Sequence, residues 1–308
     1  MRWLILISVY FVPIKSWAQQ IPQYSQWSFH QFANNPAHAG IKKCVDIHTL
    51  YRAQWVGFEG APNSGLLSVS IPLNSKRKKF LSARHGTGFK FETDNIGNFG
   101  FNRLNVAYAA HFNFDKINRL SLGVYGGVVQ ASFDPSTATT TNPDPAILSQ
   151  ANFVAPDASF GAWFNSLNYY FGLSLKNLIP WTWPDPGSQS KHRFHSSFNA
   201  GYRFSFGEKV SLLPVFIMRI PPRGPISADL NLHVDYKNII SFGAGYRNTD
   251  ALIFLVNFKI KEQFSIAYSY DYTLTDIQIP GNNTHEISLR FTTCKPYRPS
   301  TVGCTLFE

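Results

Sequence analysis

The chain has 308 residues and a formal net charge of +10, from 28 Lys+Arg against 18 Asp+Glu. Charged residues make up 15% and aromatics 16%; soluble domains average about 25% charged, so an ordinary cytosolic enzyme and a disordered chain both fit poorly. Mean hydropathy is −0.13 and no apolar run reaches the roughly 18 residues of a spanning helix, which excludes a polytopic helical membrane protein.

Residues 1–18 read as a cleaved signal peptide. Arg2 gives the positive start, Trp3 to Ile14 the apolar core, and Ser16-Trp17-Ala18 the small residues at −3 and −1 before Gln19. Export permits disulfides. There are three cysteines, Cys44, Cys294 and Cys304, hence at most one internal pair, and their spacing matches no zinc site. Neither a metal nor another cofactor is expected.

Residues 19–43 precede the first strand as a polar and aromatic segment, placed at the periplasmic mouth or in the lumen. From residue 44 onward the dominant signal has period two. Residues 228–236 set Ala228, Leu230, Leu232, Val234 and Tyr236 against Asp229, Asn231, His233 and Asp235. Residues 103–112, 198–205, 264–272 and 286–292 repeat the pattern. About fourteen such segments follow, near 44–55, 64–72, 85–93, 100–112, 117–132, 158–165, 168–175, 194–205, 209–220, 226–236, 239–247, 251–260, 263–273 and 284–293. Pro214 interrupts the ninth.

An even strand number is the rule in bacterial outer-membrane barrels, with short inner turns and longer outer loops. The two longest gaps, 133–157 and 176–193, fall on the outer side of this count, and the inner gaps are short apart from Leu73–Arg84. The expected fold is therefore all-β, a transmembrane antiparallel β-barrel of about 14 strands over 44–293, with a periplasmic tail at 294–308. A soluble β-sandwich is the competing architecture. Tyr246, Phe254, Tyr268, Tyr270, Tyr272 and Phe291 are expected on the lipid face; Arg203, His233, Asp235, Asn257, Lys259 and Arg290 in the lumen. Barrel closure makes the first and last strands neighbours, so Cys44–Cys294 is the expected disulfide, with Cys44–Cys304 and Cys294–Cys304 as alternatives.

Two features suggest partner docking. Lys76, Arg77, Lys78 and Lys79 lie in an inner gap; they read as a solvated turn, with a patch for an acidic partner or phosphate groups as the alternative. Trp181 and Trp183 lie in an outer loop, either as anchors for a partner or as interfacial girdle residues. No nucleophile elbow is present, so the chain reads as a non-enzyme without catalytic residues. Nucleic acid is not an expected partner of an exported barrel.

The stretch PQYSQWSFHQFANNPAHAG at 22–40 and YRAQWVGFEGAP at 51–62 carry a resemblance. They look like the opening of the PorP/SprF family of type IX secretion system membrane proteins of Bacteroidetes. The residues carrying it are Tyr24, Ser25, Gln26, Asn35, Pro36, Gly40, Tyr51, Arg52, Gln54, Trp55, Gly57 and Pro62. YYFGLSLKNL at 169–178, SFGAGYRNTDA at 241–251 and IAYSYDYTLTDI at 266–277 are similar to later family segments. Before the last strand, His285 and Glu286 match the family's usual Gly-Ser-His-Glu-like sequence, while Asn283 and Thr284 depart from it. The resemblance implies a non-enzymatic outer-membrane component of protein secretion or gliding motility. Its implied partners are an adhesin-like secreted surface protein, the secretion machinery, and outer-membrane lipid. A passive diffusion channel is the alternative.

Overall fold

The computed structural model describes residues 21–73, 83–115, 117–135, 151–182, 191–248, 250–261, 263–275 and 283–293. Fourteen strands form one antiparallel sheet. They are β1 (Asp46–Ala53), β2 (Asn63–Leu73), β3 (Arg84–Ile96), β4 (Phe99–Asn113), β5 (Arg119–Phe133), β6 (Ala151–Asn165) and β7 (Tyr169–Lys176). Then come β8 (His195–Tyr202, resuming at Phe204–Phe206), β9 (Val210–Ile220), β10 (Ser227–Tyr236), β11 (Ile240–Arg247), β12 (Ala251–Ile260), β13 (Phe264–Thr273) and β14 (Thr284–Thr292). Each strand pairs with its sequence neighbours. The sheet closes where β1 meets β14, from Asp46↔Thr292 to Ala53↔His285. The described residues thus form a closed 14-stranded barrel, whose closure pairs the first strand with the last.

Two details depart from the sequence reading. β6 begins at Ala151 rather than near 158 and pairs with β5 along its whole length, so the preceding outer loop is shorter than the alternation suggested. Pro156 sits within that added stretch. Pro214 does not end β9, which pairs continuously with β10, Pro214 lying opposite Leu232. The interruption falls on the other neighbour instead. The ladder to β8 stops at Gly201↔Val215 and resumes at Phe204↔Leu212, because proline has no N–H to give on that side.

Alternation decides which way each side chain points. On β10, Leu230, Leu232 and Val234 are exposed while Asp229, Asn231 and His233 are buried. The same reversal of globular order holds around the wall, with Val106, Phe254, Tyr268, Tyr272 and Leu289 outward. An apolar belt of that extent is stable against hydrocarbon, not water. Among the described residues no helix is long and apolar enough to cross a membrane; the crossing is made by strands. The barrel is an outer-membrane protein, and the rim with the long loops is the outer one.

The wall is uneven. β3 to β6 have 13 to 15 residues, whereas β7 and β11 have 8 each. A barrel strand needs about 9–11 residues to cross a bilayer, so the β3–β6 arc projects beyond it. In the register Phe160↔Leu175, the first half of β6 extends past the outer end of β7.

The apolar core lies inside the barrel. Residues 21–43 run through the lumen, with one helical turn, α1 (Gln31–Asn34), and a 3-10 turn at Pro36–His38. Trp27, Ala37 and Ile41 pack on Trp163, Tyr170, Val215 and Ile217 of the wall. Phe32 and Ala39 pack on Ala107, Ala109 and Tyr125, and Tyr24 and Ala33 on Leu50 and Leu66.

Candidate functional site

The internal segment is held in two different ways. Near the outer end its backbone is captured by charge. Glu286 accepts the N–H of Ser25 through one carboxylate oxygen at 3.0 Å and that of Gln26 through the other at 2.9 Å. Arg52 donates to Glu286 and to Asp271, each at 3.0 Å, and to the Ser25 hydroxyl at 3.1 Å. The Ser25 hydroxyl in turn donates to Asp271. Gln26 closes the lock, donating to the Glu286 carbonyl at 2.9 Å and accepting from Ser288 at 2.6 Å.

This cluster extends along the wall. Arg247 donates to Ser25 at 3.1 Å and bridges to Asp229, which also receives two bonds from Arg219. Opposite, Tyr24 donates to Glu92 at 3.1 Å, and Glu92 is balanced by Lys90 and Arg103. Burial pushes the Tyr24 phenol well above its ordinary value, and the neighbouring Glu92 charge adds to the rise. Arg52, Asp271 and Glu286 are each no more than 3% exposed in their side chains. Losing one partner from such a buried set costs about 3–5 kcal/mol, since the other charge is left uncompensated.

Toward the opposite rim the segment is held by shape. Asn35 caps the 3-10 turn by accepting the Ala37 N–H, and its amide donates to the Ala162 and Leu173 carbonyls, each at 3.0 Å. Pro36 and Ala37 lie directly over Gly123 of β5, and Asn35 over Gly161 of β6; a Cβ at either glycine would collide with them. Gly40 (φ +63) rests on the Gly86 backbone with no room for a Cβ on either residue, in a conformation other residues rarely adopt. Its N–H donates to Ser70 at 2.8 Å.

Two histidines of the segment are also sealed there. His30 stacks edge-on with His48 at 4.7 Å and has neither ring nitrogen hydrogen-bonded among the described residues. His38 lies edge-on to Trp163 at 4.1 Å. Burial holds both well below the usual histidine range, with His48 adding to the effect at His30 and Lys42 at His38. They are neutral spacers in a buried interior.

The twelve motif residues divide by location. Tyr24, Ser25, Gln26, Asn35, Pro36, Gly40 and Arg52 converge in the lumen, six on the plugging segment and one on the wall facing it. Tyr51 points outward, its hydroxyl donating to Asn63. Gln54, Trp55, Gly57 and Pro62 shape the first outer loop, where the Gln54 N–H donates to the Pro62 carbonyl and the Trp55 N–H to Thr284 of the last strand.

Among lumen candidates, Arg203 pairs with Asp235 at 3.2 Å and Arg290 with Asp46 at 2.8 Å. His233 meets the Ser28 hydroxyl at 3.2 Å. Trp181 packs against Phe153 and His192 at the outer rim. Cys44 is disulfide-bonded. Cys294, Lys76, Arg77, Lys78, Lys79 and Trp183 lie outside the described residues.

Sequence reasoning missed the glycines Gly86, Gly123 and Gly161 and the acids Glu92 and Asp271 that receive the segment. A signal was present: Gly and Ala recur at lumen-facing positions of β3 to β6, where a water-filled channel would carry polar side chains. Chemically, the assembly closes the lumen with matched charge and packed backbone.

The PorP/SprF family model, described as type IX secretion system membrane protein, matches residues 16–291. No curated protein matches the sequence. Solved structures with similar chain paths include a FadL homologue from Pseudomonas aeruginosa (11% identity, 88% of this chain and 94% of that one, TM-score 0.49). Others are the Ralstonia pickettii toluene transporter TbuX (9%, 85% and 92%, 0.49) and the translocator domain of the Neisseria meningitidis autotransporter NalP (12%, 80% and 87%, 0.43). At these identities and scores the likenesses say nothing of what this chain binds.

Proposed function

This chain belongs to the PorP/SprF family of type IX secretion system membrane proteins, and from that premise we propose that it is a non-enzymatic accessory barrel that engages an exported surface protein. The observation that supports this reading is the filled lumen. Residues 21–43 occupy it with a buried, charge-matched lock at Glu286 and backbone packing at Gly123 and Gly161. A conduit for passive diffusion needs a hydrated path. A closed barrel acts through its rims, and here the tall β3–β6 arc, with Trp181 against Phe153, gives the outer rim a raised ledge. Aromatic residues on a rigid scaffold are effective anchors for a protein partner.

The test is surface display. In cells lacking this chain, surface labelling is expected to show the loss of one or a few exported proteins, restored by the wild-type gene. Restoration is expected to be weaker with Trp181→Ala, at unchanged barrel abundance. An unchanged set of surface proteins in the absence of the chain would overturn the reading.

A further inference from the structure

A cavity lies at the outer end of the lumen, between the first plug residues and the wall of β7 to β10. Its lining has two chemistries. On one side stand Lys176, Arg219, Arg223 and His195, with Ser197, whose place in the alternation of β8 turns it into the lumen. On the other stand Ile21, Pro22, Ile217, Pro221 and Pro225. Among the described lining residues there is no carboxylate.

The charge balance there differs from that of the lumen around it. Arg52, Arg103, Arg203, Arg247 and Arg290 each meet a carboxylate within 3.3 Å. Lys176 does not: among the described residues no carboxylate lies within ion-pairing distance of its ammonium, and the nearby Glu92 is taken by Lys90 and Arg103. Lys176 is only partly exposed, and a partly desolvated ammonium without a counter-charge is unfavourable. Arg219 is fixed in orientation by its two bonds to Asp229. The His195 ring donates from Nδ1 to the Arg193 carbonyl at 2.8 Å, which leaves Nε2 uncommitted.

We propose that this cavity is a binding site for a small monocarboxylate with an apolar body. The carboxylate lies between the Lys176 ammonium and the Ser197 hydroxyl, and the apolar part lies against Ile21, Pro22 and Ile217. Two sources share this chemistry: the C-terminus of a polypeptide ending in apolar residues, and a short fatty acid.

The experiment is titration calorimetry on the full-length protein held in amphipol. The probes are N-acetyl-leucylphenylalanine for the first source and octanoate for the second; the dipeptide amide and inorganic phosphate serve as charge and shape controls. At least one carboxylate is expected to bind saturably at one site, with amide and phosphate at least about tenfold weaker, the scale of a charge-assisted bond. Lys176→Met, which keeps the apolar stem, is expected to weaken binding by a similar factor. Ile21→Asp, which places a carboxylate in the opposite wall, is expected to do the same. Whichever probe binds tighter identifies the source. The proposal is overturned if neither carboxylate saturates, if the amide binds as well as the acid, or if Lys176→Met binds like wild type. Should Lys176→Met fail to fold, the acid-against-amide contrast in the wild type decides alone.

Discussion

The two ends of the plugging segment are held by different physics. At Ser25 and Gln26, a single carboxylate, Glu286, grips two consecutive backbone N–H groups while Arg52 balances the charge. At Pro36 to Gly40, the wall offers no charge but removes its own side chains, so that backbone meets backbone over Gly86 and Gly123. The first end is directional and depends on ionisation; the second depends on close backbone packing, with neutral hydrogen bonds at Asn35 and Gly40. A polar perturbation should therefore loosen one end, and a steric one the other.

The largest effect is expected at the charged end. Arg52→Met leaves Asp271 and Glu286 buried without their cation and should lower stability by about 3–5 kcal/mol, read from the urea midpoint of the barrel's heat-modifiable gel mobility. Next comes the covalent tie at the other rim. The β1–β14 register pairs Asp46 with Thr292, and the Thr293 N–H donates to the Val45 carbonyl, so we propose Cys294 as the partner of Cys44. Non-reducing peptide mapping should recover that pair, and Cys44→Ser should cost about 2–4 kcal/mol; recovery of Cys44–Cys304 would contradict it.

A steric change comes third. Gly123→Val pushes a side chain into Pro36 and Ala37, and overpacking of this kind costs about 1–3 kcal/mol. Because the added side chain points into the lumen and leaves the β5 ladders in place, the barrel should assemble while the segment's Pro36–Gly40 half becomes open to protease. The smallest effect is expected from pH. His30 and His38 are held neutral by burial, and the unfolded or undocked segment would take up protons at its ordinary value near 6.5. A lowered value in the docked state means that docking is fully stabilised above 6.5 and weakens as the pH falls below it. Proteolysis of the segment should accelerate between pH 7.5 and pH 5, and that acceleration should shrink in His30→Gln.

The barrel was legible in the sequence because period-two alternation and turn spacing are local properties. Fourteen strands form in the expected order, β6 alone starting well before its expected bound, and Tyr268, Tyr272 and Phe254 face outward as expected. Pro214 does interrupt the ninth strand, but only on its ladder to β8, and local reading cannot say which of a strand's two ladders a proline breaks. The filled lumen was less legible. Ser25 reaches Asp271 across 246 residues, a separation at which no pattern in the chain links the two. The glycines under Asn35 to Gly40 seat another backbone, which alternation along their own strands does not signal. Arg52 stood out as a motif residue, but the acids it joins, Asp271 and Glu286, sit on separate strands that only closure brings together.

The central claim is that the barrel is sealed by its own N-terminal segment, and single-channel recording of the full-length protein in a planar lipid bilayer tests it most directly. The account predicts an electrically silent protein at neutral pH, with steady current emerging in Gly123→Val. A large ohmic conductance from the wild type under the same conditions would contradict it.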